Sequence, residues 1–210
     1  MNSSHVTIDC NIAIFGCVSR QCNNIIETNF SGKYSSVTVK SITREIRHHL
    51  NEIYAVVERL RVEVMNADDF QKLLESEVYQ DFFGNYEVVR EGLEVALKKY
   101  DSISNYLDEL AETIRRILYL VLTQRQFPTE DEQEEYRETY QTSFEELNQV
   151  MSVENKDFPH VYWLDIYSKE MNHVDFYTGD YQLNEIITSF CQNVSSHQIK
   201  RESLLEPEDV

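Results

Sequence analysis

Short apolar runs that alternate with segments of helical periodicity are the feature of this chain that most constrains its fold. Five runs have the length and composition of buried strands: residues 12–15, 37–39, 78–83, 117–122 and 161–166. The strongest is 117–122, because six consecutive apolar residues are followed at once by the polar residues 123–126. Short buried strands between helices predict an α/β fold, helix-rich, with a mainly parallel sheet flanked by helices.

Helical periodicity covers most of the remaining chain. Apolar side chains recur at steps of three and four residues between positions 41 and 74, namely Ile46, Leu50, Ile53, Val57 and Leu60. Residues 66–69 interrupt this pattern, and a second helix is predicted over 70–77. Further helices are predicted over 86–116 with a break at 101–104, over 128–151, and over 183–194. Thr129, with Glu132 three residues later, predicts a capping box at the start of the segment 128–151.

Length and composition indicate one folded domain. The chain has 210 residues, of which 41% are hydrophobic, and its 13 Tyr and 10 Phe need a core in which to be buried. We expect a single domain over residues 1–199, with a helical insertion over 42–77 and a polar tail over 200–210.

The net charge of −18 limits the partners of this chain. With 37 acidic and 19 basic residues, its surface repels nucleic-acid phosphates and anionic membranes, so we expect no direct nucleic-acid binding. An alternative is an acidic protein that mimics nucleic acid and inhibits a partner by occupying the partner's basic groove. Residues 130–138 are the densest acidic run, which is more typical of a solvated helix face.

The four cysteines and the hydropathy pattern favour an intracellular, cytoplasmic protein. Cys10, Cys17, Cys22 and Cys191 lack the second pair of ligands that a zinc site needs, so reduced thiols are predicted. No apolar run reaches the length of a membrane span, and residues 1–10 lack the features of a signal peptide.

Gly16 ends the predicted strand 12–15 and opens the segment Gly-Cys-Val-Ser-Arg-Gln-Cys-Asn. A phosphate-binding loop has the pattern G-x-x-x-x-G-K-[ST], in which backbone amides and the lysine hold phosphates and the hydroxyl holds Mg²⁺. Gly16 keeps the first glycine. Gln21 replaces the second glycine, Cys22 the lysine, and Asn23 the hydroxyl residue. The segment therefore has the expected position of such a loop without its ligands.

Residues 12–43 resemble the start of dynamin-type GTPases, notably those encoded by large DNA viruses. In that family a similar strand enters a V-S-x-G-K-S-T loop, and a Tyr-Ser segment leads to a K-R-T-T element of the first switch. Residues 40–43, Lys-Ser-Ile-Thr, are similar to that element, which implies that Thr43 stands at the Mg²⁺-contacting threonine. The helical stretch 42–74 resembles an insertion in the viral members. The implied fold is P-loop NTPase-like, and a viral protein would act in the host cytoplasm.

Two later segments resemble further motifs of this family in the right order. Asp81-Phe-Phe-Gly84 is similar to the D-x-x-G of the second switch, where the aspartate reaches Mg²⁺ through water and the glycine amide meets the γ-phosphate. Thr123 follows a predicted strand, where the family recognises guanine with [NT]-K-x-D. Gln124 and Gln126 replace the lysine and the aspartate of that motif.

These replacements remove contacts to three parts of one ligand. A charge-assisted contact contributes roughly 1.5–3 kcal/mol, and unpaired base donors cost about 1–3 kcal/mol. Micromolar binding of GTP corresponds to only about 8 kcal/mol in total. The resemblance therefore implies a pseudo-GTPase, with no catalytic residue, metal or cofactor, that acts as a protein-interaction module. Its vestigial nucleotide pocket would comprise Gly16, Ser19, Cys22, Asn23, Thr43, Asp81, Gly84 and Thr123.

An alternative is an active GTP-binding protein in which GTP and Mg²⁺ occupy a surviving pocket and Lys33 or Lys40 replaces the missing lysine. Each candidate residue also has a structural interpretation. Gly16 is typical of a turn, and Thr43 of a helix N-cap. Cys17 and Cys22 are typical of small buried hydrophobic residues.

Other candidate residues have no motif around them. His48 and His49 are expected on the surface and, as neighbours in a helix, about 100° apart. Asp81 is typical of a loop acid. No Ser/His/Asp or Cys/His set stands within an identifying motif, so the sequence gives no support for a nucleophilic enzyme.

Overall fold

The computed structural model describes residues 5–31, 37–64, 67–99, 103–151 and 156–201. The chain divides into two compact units. Unit 1 comprises the described residues within Met1–Ile12, Asn29–Glu45 and Val121–Ile199. Unit 2 comprises the described residues within Ala13–Thr28, Ile46–Leu120 and Lys200–Val210.

Helices dominate the described residues, and the strands are short. The strands are β1 (His5–Ile8), β2 (Val37–Val39), β3 (Arg125–Phe127), β4 (Val174–Thr178) and β5 (Val194–Gln198). The helices are α1 (Cys10–Phe15), α2 (Arg20–Phe30), α3 (Lys40–Glu63), α4 (Ala67–Leu74), α5 (Glu77–Asn85), α6 (Glu87–Lys99), α7 (Ile103–Leu122), α8 (Glu130–Glu135), α9 (Arg137–Met151), α10 (Phe158–Met171) and α11 (Tyr181–Phe190).

The strands lie in unit 1 and pair in parallel. One sheet has the order β1-β4-β5, and β2 pairs with β3 in a second sheet. His5 stands opposite Val174, and Val174 opposite Val194. The chain is thus helix-rich with small parallel sheets, as the α/β prediction required at this coarse level.

An aromatic core fills unit 1 around α10. This helix is buried on all sides, which is typical of a central helix rather than an amphipathic surface helix. The Tyr140 ring lies 4.8 Å from Phe158 and 4.8 Å from Tyr162, and the Phe127 ring lies 5.3 Å from Tyr167. Such edge-on and tilted contacts each add about 0.5–1.5 kcal/mol beyond the burial of area. Asn172 ends α10 in the left-handed conformation.

Unit 2 has a core of aliphatic side chains from its helices. Leu50, Ile53 and Leu60 of α3 are fully buried, as are Leu93 of α6 and Ile114 of α7. These are positions that the periodicity assigned to the apolar faces, so the predicted helices over 41–74 and 86–116 are confirmed. The break at 66–69 corresponds to the start of α4 at Ala67, and Asn66 lies outside the described residues.

Four of the predicted strands are wrong, because the runs lie in helices rather than in extended backbone. Residues 12–15 lie in α1, 78–83 in α5, 117–122 in the last turns of α7, and 161–166 in α10. Ile12 and Ala13 are fully buried, so the apolar run reports burial rather than extended backbone. The strand prediction over 37–39 is confirmed as β2.

Two helices differ from their predictions, and one predicted helix start is confirmed. Residues 20–30, whose asparagines weakened a helix prediction, form α2. The helix predicted over 183–194 ends at Phe190, and Val194 begins β5. The capping box is confirmed. The Thr129 side chain accepts from the Glu132 amide, and the Glu132 carboxylate accepts from the Thr129 amide at 2.6 Å.

Candidate functional site

The predicted phosphate loop is a turn between two helices in unit 2. Gly16 follows α1 instead of a strand, so the predicted strand context of this loop is wrong. Its backbone amides are already paired within the turn. The Cys17 amide donates to the Ile14 carbonyl at 3.1 Å, and the Ser19 amide donates to the Phe15 carbonyl at 2.7 Å. Amides that serve α1 cannot also surround a phosphate.

A small hollow of about 200 Å³ lies beside this turn. Gly16, Ser19 and Asn23 border it together with Glu109 of α7, and Arg20 is the one cation among the described residues that line it. Cys22 is buried beneath the surface, and burial raises the pKa of its thiol to about 12, so the thiol is neutral. Its interpretation as a small buried hydrophobic residue is confirmed, and the same holds for Cys17.

The other predicted pocket residues lie elsewhere. Asp81 and Gly84 are exposed on α5 and do not line the hollow, so the D-x-x-G segment is helical. Thr43 is buried in the first turns of α3, and its hydroxyl donates to the Val39 carbonyl at 3.1 Å. Thr123 is exposed after α7. The structure brings Gly16, Ser19, Cys22 and Asn23 together, and assigns Thr43 and Thr123 to unit 1.

A second set of polar side chains meets in unit 1, which the sequence did not predict. The Ser41 hydroxyl oxygen lies 2.8 Å from His160 Nδ1, and His160 Nε2 lies 3.1 Å from Glu45 Oε1. Ser41 and Glu45 share a face of α3 because they are four residues apart. His160 comes from the first turn of α10. The serine–glutamate spacing was visible in the sequence, but nothing local connected it with a histidine 119 residues away.

Ser41 borders a cavity of about 480 Å³, whereas His160 and Glu45 lie behind Ser41 and are not among the lining residues. The start of α3 contributes Ser41, Lys40 and Arg44, and the Tyr140 and Trp163 rings form an aromatic part of the lining. His160 itself is almost fully buried, while Glu45 keeps 41% of its side chain exposed. The Ser41 hydroxyl can therefore be reached from the cavity, while the histidine to which it is hydrogen-bonded is shielded from water.

Cations at the cavity distinguish it from the rest of this acidic chain. Arg137 pairs with Glu134 at 3.3 Å. Lys40 and Arg44 have no ion pair with any carboxylate of the described residues, although the chain carries 37 acidic residues. Unpaired cations beside a low-dielectric wall attract anions. Glu130 and Glu134 of α8 also line the cavity, and Glu130, Asp131, Glu134 and Glu135 are exposed, as expected of a solvated helix face.

A buried carboxyl group lies near His160 in unit 1. Asp9 accepts from the Cys10 amide at 2.7 Å and from the Thr178 hydroxyl at 2.8 Å. Burial raises its pKa, against the lowering by these hydrogen bonds and by His160. The group joins the carboxyl ends of β1 and β4.

Among the described residues, His48, His49 and Glu52 are the group whose ligand atoms come close enough for a metal ion, within 4.8 Å of one another. The centroids of the His48 and His49 rings are 5.1 Å apart, so the two side chains contact each other although neighbours in a helix point in different directions. His48 is exposed, and His49 Nδ1 lies 2.6 Å from the Tyr86 hydroxyl. The group is an exposed surface cluster on α3 whose nitrogen and oxygen atoms already contact one another.

Comparison with protein-family models, with curated proteins and with solved structures finds no match for this chain. The likeness to dynamin-type GTPases therefore rests on the residues quoted above. Within the described part of the chain, no helix combines the length and the apolar character needed to cross a bilayer.

Proposed function

We propose that this chain is a protein-interaction module in which a degenerate, dynamin-type P-loop NTPase-like domain no longer binds GTP. The observation that carries the loss of nucleotide binding is the pairing of the amides of Cys17 and Ser19 with carbonyls of α1. A phosphate needs those amides and a lysine, and residues 16–23 supply neither. The family relationship is part of this proposal and rests on the sequence resemblance, because α1 stands where the family has a strand.

The cavity of unit 1 supports the interaction role. Lys40 and Arg44, which have no ion pair within the described part of the chain, line the same cavity as the rings of Tyr140 and Trp163. Aromatic and arginine side chains are enriched at the centres of protein interfaces, because they combine apolar area with charge-assisted hydrogen bonds. The partner that fits is a protein segment that presents carboxylate groups to the cavity.

The first test is a thermal melt with and without millimolar GTP and Mg²⁺, with ATP and Mg²⁺ as the control. A ligand that binds the folded state raises the midpoint by mass action. We expect no rise with either nucleotide. A rise of several degrees that is specific to GTP would overturn the proposal and support the active GTP-binding alternative.

The second test uses Trp163, the one tryptophan of the chain, as a reporter of the cavity. Titration with a hexaglutamate peptide should shift its emission with a saturable dependence. Loss of one charge-assisted contact removes about 1.4 kcal/mol or more, so Arg44→Ala should weaken binding about tenfold.

Arg47→Ala is the matched control for this titration. Arg47 is exposed on the same helix, three residues further on, and does not line the cavity. Equal affinities of the two variants would show that the peptide binds through general charge and would contradict a role of the cavity.

A further inference from the structure

We propose that Ser41, His160 and Glu45 form a nucleophilic site that hydrolyses esters whose acyl part carries a carboxylate. The two hydrogen bonds connect a hydroxyl, an imidazole and a carboxylate in that order, at 2.8 Å and 3.1 Å. This is the order of nucleophile, base and orienting acid that activates a serine. The imidazole is reversed relative to the common arrangement, with Nδ1 toward the serine and Nε2 toward the carboxylate.

Hydrogen bonding fixes the tautomer that this role needs. In the neutral ring with its proton on Nε2, His160 donates to Glu45 and leaves Nδ1 to accept from the Ser41 hydroxyl. Glu45 is therefore a positioning residue, because it holds the proton on the far nitrogen and stabilises the imidazolium that forms during reaction. Asp9 is a buried carboxyl group that interacts electrostatically with both His160 and Glu45.

The place of Ser41 in the fold suits a nucleophile. It follows the parallel strand β2 by two residues and lies in the first turn of α3, a helix of 24 residues. The amides of a first turn have no acceptor within the helix, and the helix dipole favours negative charge there. An oxyanion that develops next to Ser41 would meet this positive end of α3.

The cavity indicates the class of substrate. Lys40 and Arg44 flank Ser41 along α3 and are unpaired among the described residues, so they suit a carboxylate of the acyl group. The Tyr140 and Trp163 rings suit its apolar part. The substrate class rests on the anion preference in the proposed function, whereas the reactivity of Ser41 does not depend on it.

The reaction balances without a redox partner. The Ser41 oxygen attacks the ester carbonyl carbon, and its proton moves to His160 Nδ1. The bond from the carbonyl carbon to the leaving oxygen breaks, and the leaving alcohol takes that proton. Water then attacks the acyl-serine, gives a proton to His160, and releases the acid as Ser41 regains its hydrogen. One ester and one water yield one acid and one alcohol.

The decisive experiment treats the whole chain with a neutral fluorophosphonate probe and locates the adduct by peptide mass mapping. We expect a single adduct on Ser41 and none in Ser41→Ala. Ser189→Ala, which alters an exposed serine of α11 outside the cavity, should be labelled like the original chain. Absence of an adduct on Ser41, under conditions that label an authentic serine hydrolase, overturns the proposal and identifies the hydrogen bonds as structural.

Steady-state kinetics then test the roles and the substrate class. With the 4-nitrophenyl monoester of adipic acid, Ser41→Ala should lower kcat/KM by about 10³-fold or more. Glu45→Gln should lower kcat about 10- to 100-fold with KM and the melting midpoint unchanged, a split that a merely structural role would not produce. Equal hydrolysis by Ser41→Ala and the original chain would overturn the proposal.

Arg44→Ala separates this proposal from the one on which its substrate class rests. It should raise KM for the adipate ester about tenfold more than it raises KM for the neutral 4-nitrophenyl hexanoate. If Ser41 is labelled but Arg44→Ala changes neither substrate, the nucleophile stands and the anion preference of the cavity is wrong.

Discussion

Asp9 is a carboxyl group that folding removes from water at the carboxyl end of β1. Only 6% of the residue is exposed, and both of its oxygens accept hydrogen bonds, from the Cys10 amide and the Thr178 hydroxyl. Desolvation is the largest influence and raises the pKa of Asp9 above its ordinary value of 3.8. The folded chain therefore binds this proton more tightly than the unfolded chain does.

The sign of the resulting pH dependence follows by linkage. The contribution of Asp9 to stability is fully present below its unfolded pKa and is lost as the pH rises through the raised folded pKa. Asp9→Asn keeps the side chain's size and removes its charge. We expect the free energy of unfolding of this variant to increase relative to that of the original chain as the pH rises from about 4 to about 7.

Urea denaturation at a series of pH values measures this difference. Asp81→Asn, at an exposed position of α5, serves as the control and should show a difference that stays constant with pH. A constant difference for Asp9→Asn as well would mean that water or hydrogen bonds in the folded chain compensate for the desolvation of the Asp9 carboxylate, and would contradict the prediction.

At the scale of elements, Gly92 marks the closest approach of α6 to the turn that precedes α2. A Cβ atom at position 92 would lie 2.6 Å from Val18 Cγ1 and 2.7 Å from Val18 Cβ. Both distances are too short, and the Cβ of Val18 moves only with its backbone. The absence of a side chain at Gly92 is therefore what allows the two segments to pack.

Two glycine substitutions test this packing against helix propensity. Gly84→Ala meets no atom within 4 Å on α5 and should stabilise unit 2 by about 0.5–1 kcal/mol, because alanine favours a helix more than glycine does. Gly92→Ala gains the same propensity but forces a clash, which costs about 1–3 kcal/mol. We expect net destabilisation for Gly92→Ala and the opposite sign for Gly84→Ala in chemical denaturation. Stabilisation by both would show that Val18 can move away.

The sequence predicted helices better than strands, for a reason visible in these elements. Ile46, Leu50 and Ile53 repeat on one face of α3, and such periodicity depends only on neighbours along the chain. The run 161–166 is apolar because α10 is largely buried there, whereas Tyr119 in the run 117–122 is exposed on α7. Composition alone separates neither run from a strand.

The strands that sequence analysis missed depend on distant partners. β5 has the sequence Val-Ser-Ser-His-Gln, which carries no hydrophobic alternation, and it exists because β4 pairs with it. The candidate site has the same property. Ser41 and Glu45 could be related by their spacing, but His160 joins them only when α10 folds against the start of α3.

At the scale of the whole molecule, net charge is the property with a direct thermodynamic consequence. A charge of −18 repels itself, and the folded chain holds those carboxylates closer together than the unfolded chain does. Most of the ion pairs that oppose this repulsion are exposed, and exposed pairs contribute little.

Added salt should therefore stabilise this protein. Screening at about 0.1 M salt limits charge interactions to about 10 Å, which weakens the long-range repulsion more than the short ion pairs. We expect the melting midpoint in calorimetry to rise by a few degrees from about 20 mM to about 200 mM NaCl. A fall of the midpoint would mean that the ion pairs outweigh the repulsion.

The parallel pairing of β1 with β4 cannot form during synthesis until β4 has been made. Asp9, directly after β1, hydrogen-bonds Thr178 at the end of β4, 169 residues later in the chain. At about 5–20 residues per second, a ribosome needs roughly 8 to 34 s to supply that partner. During this interval Val6 and Ile8 lack the strand that pairs with them in the folded chain, and a chaperone that shields nascent segments would have its best opportunity to bind there.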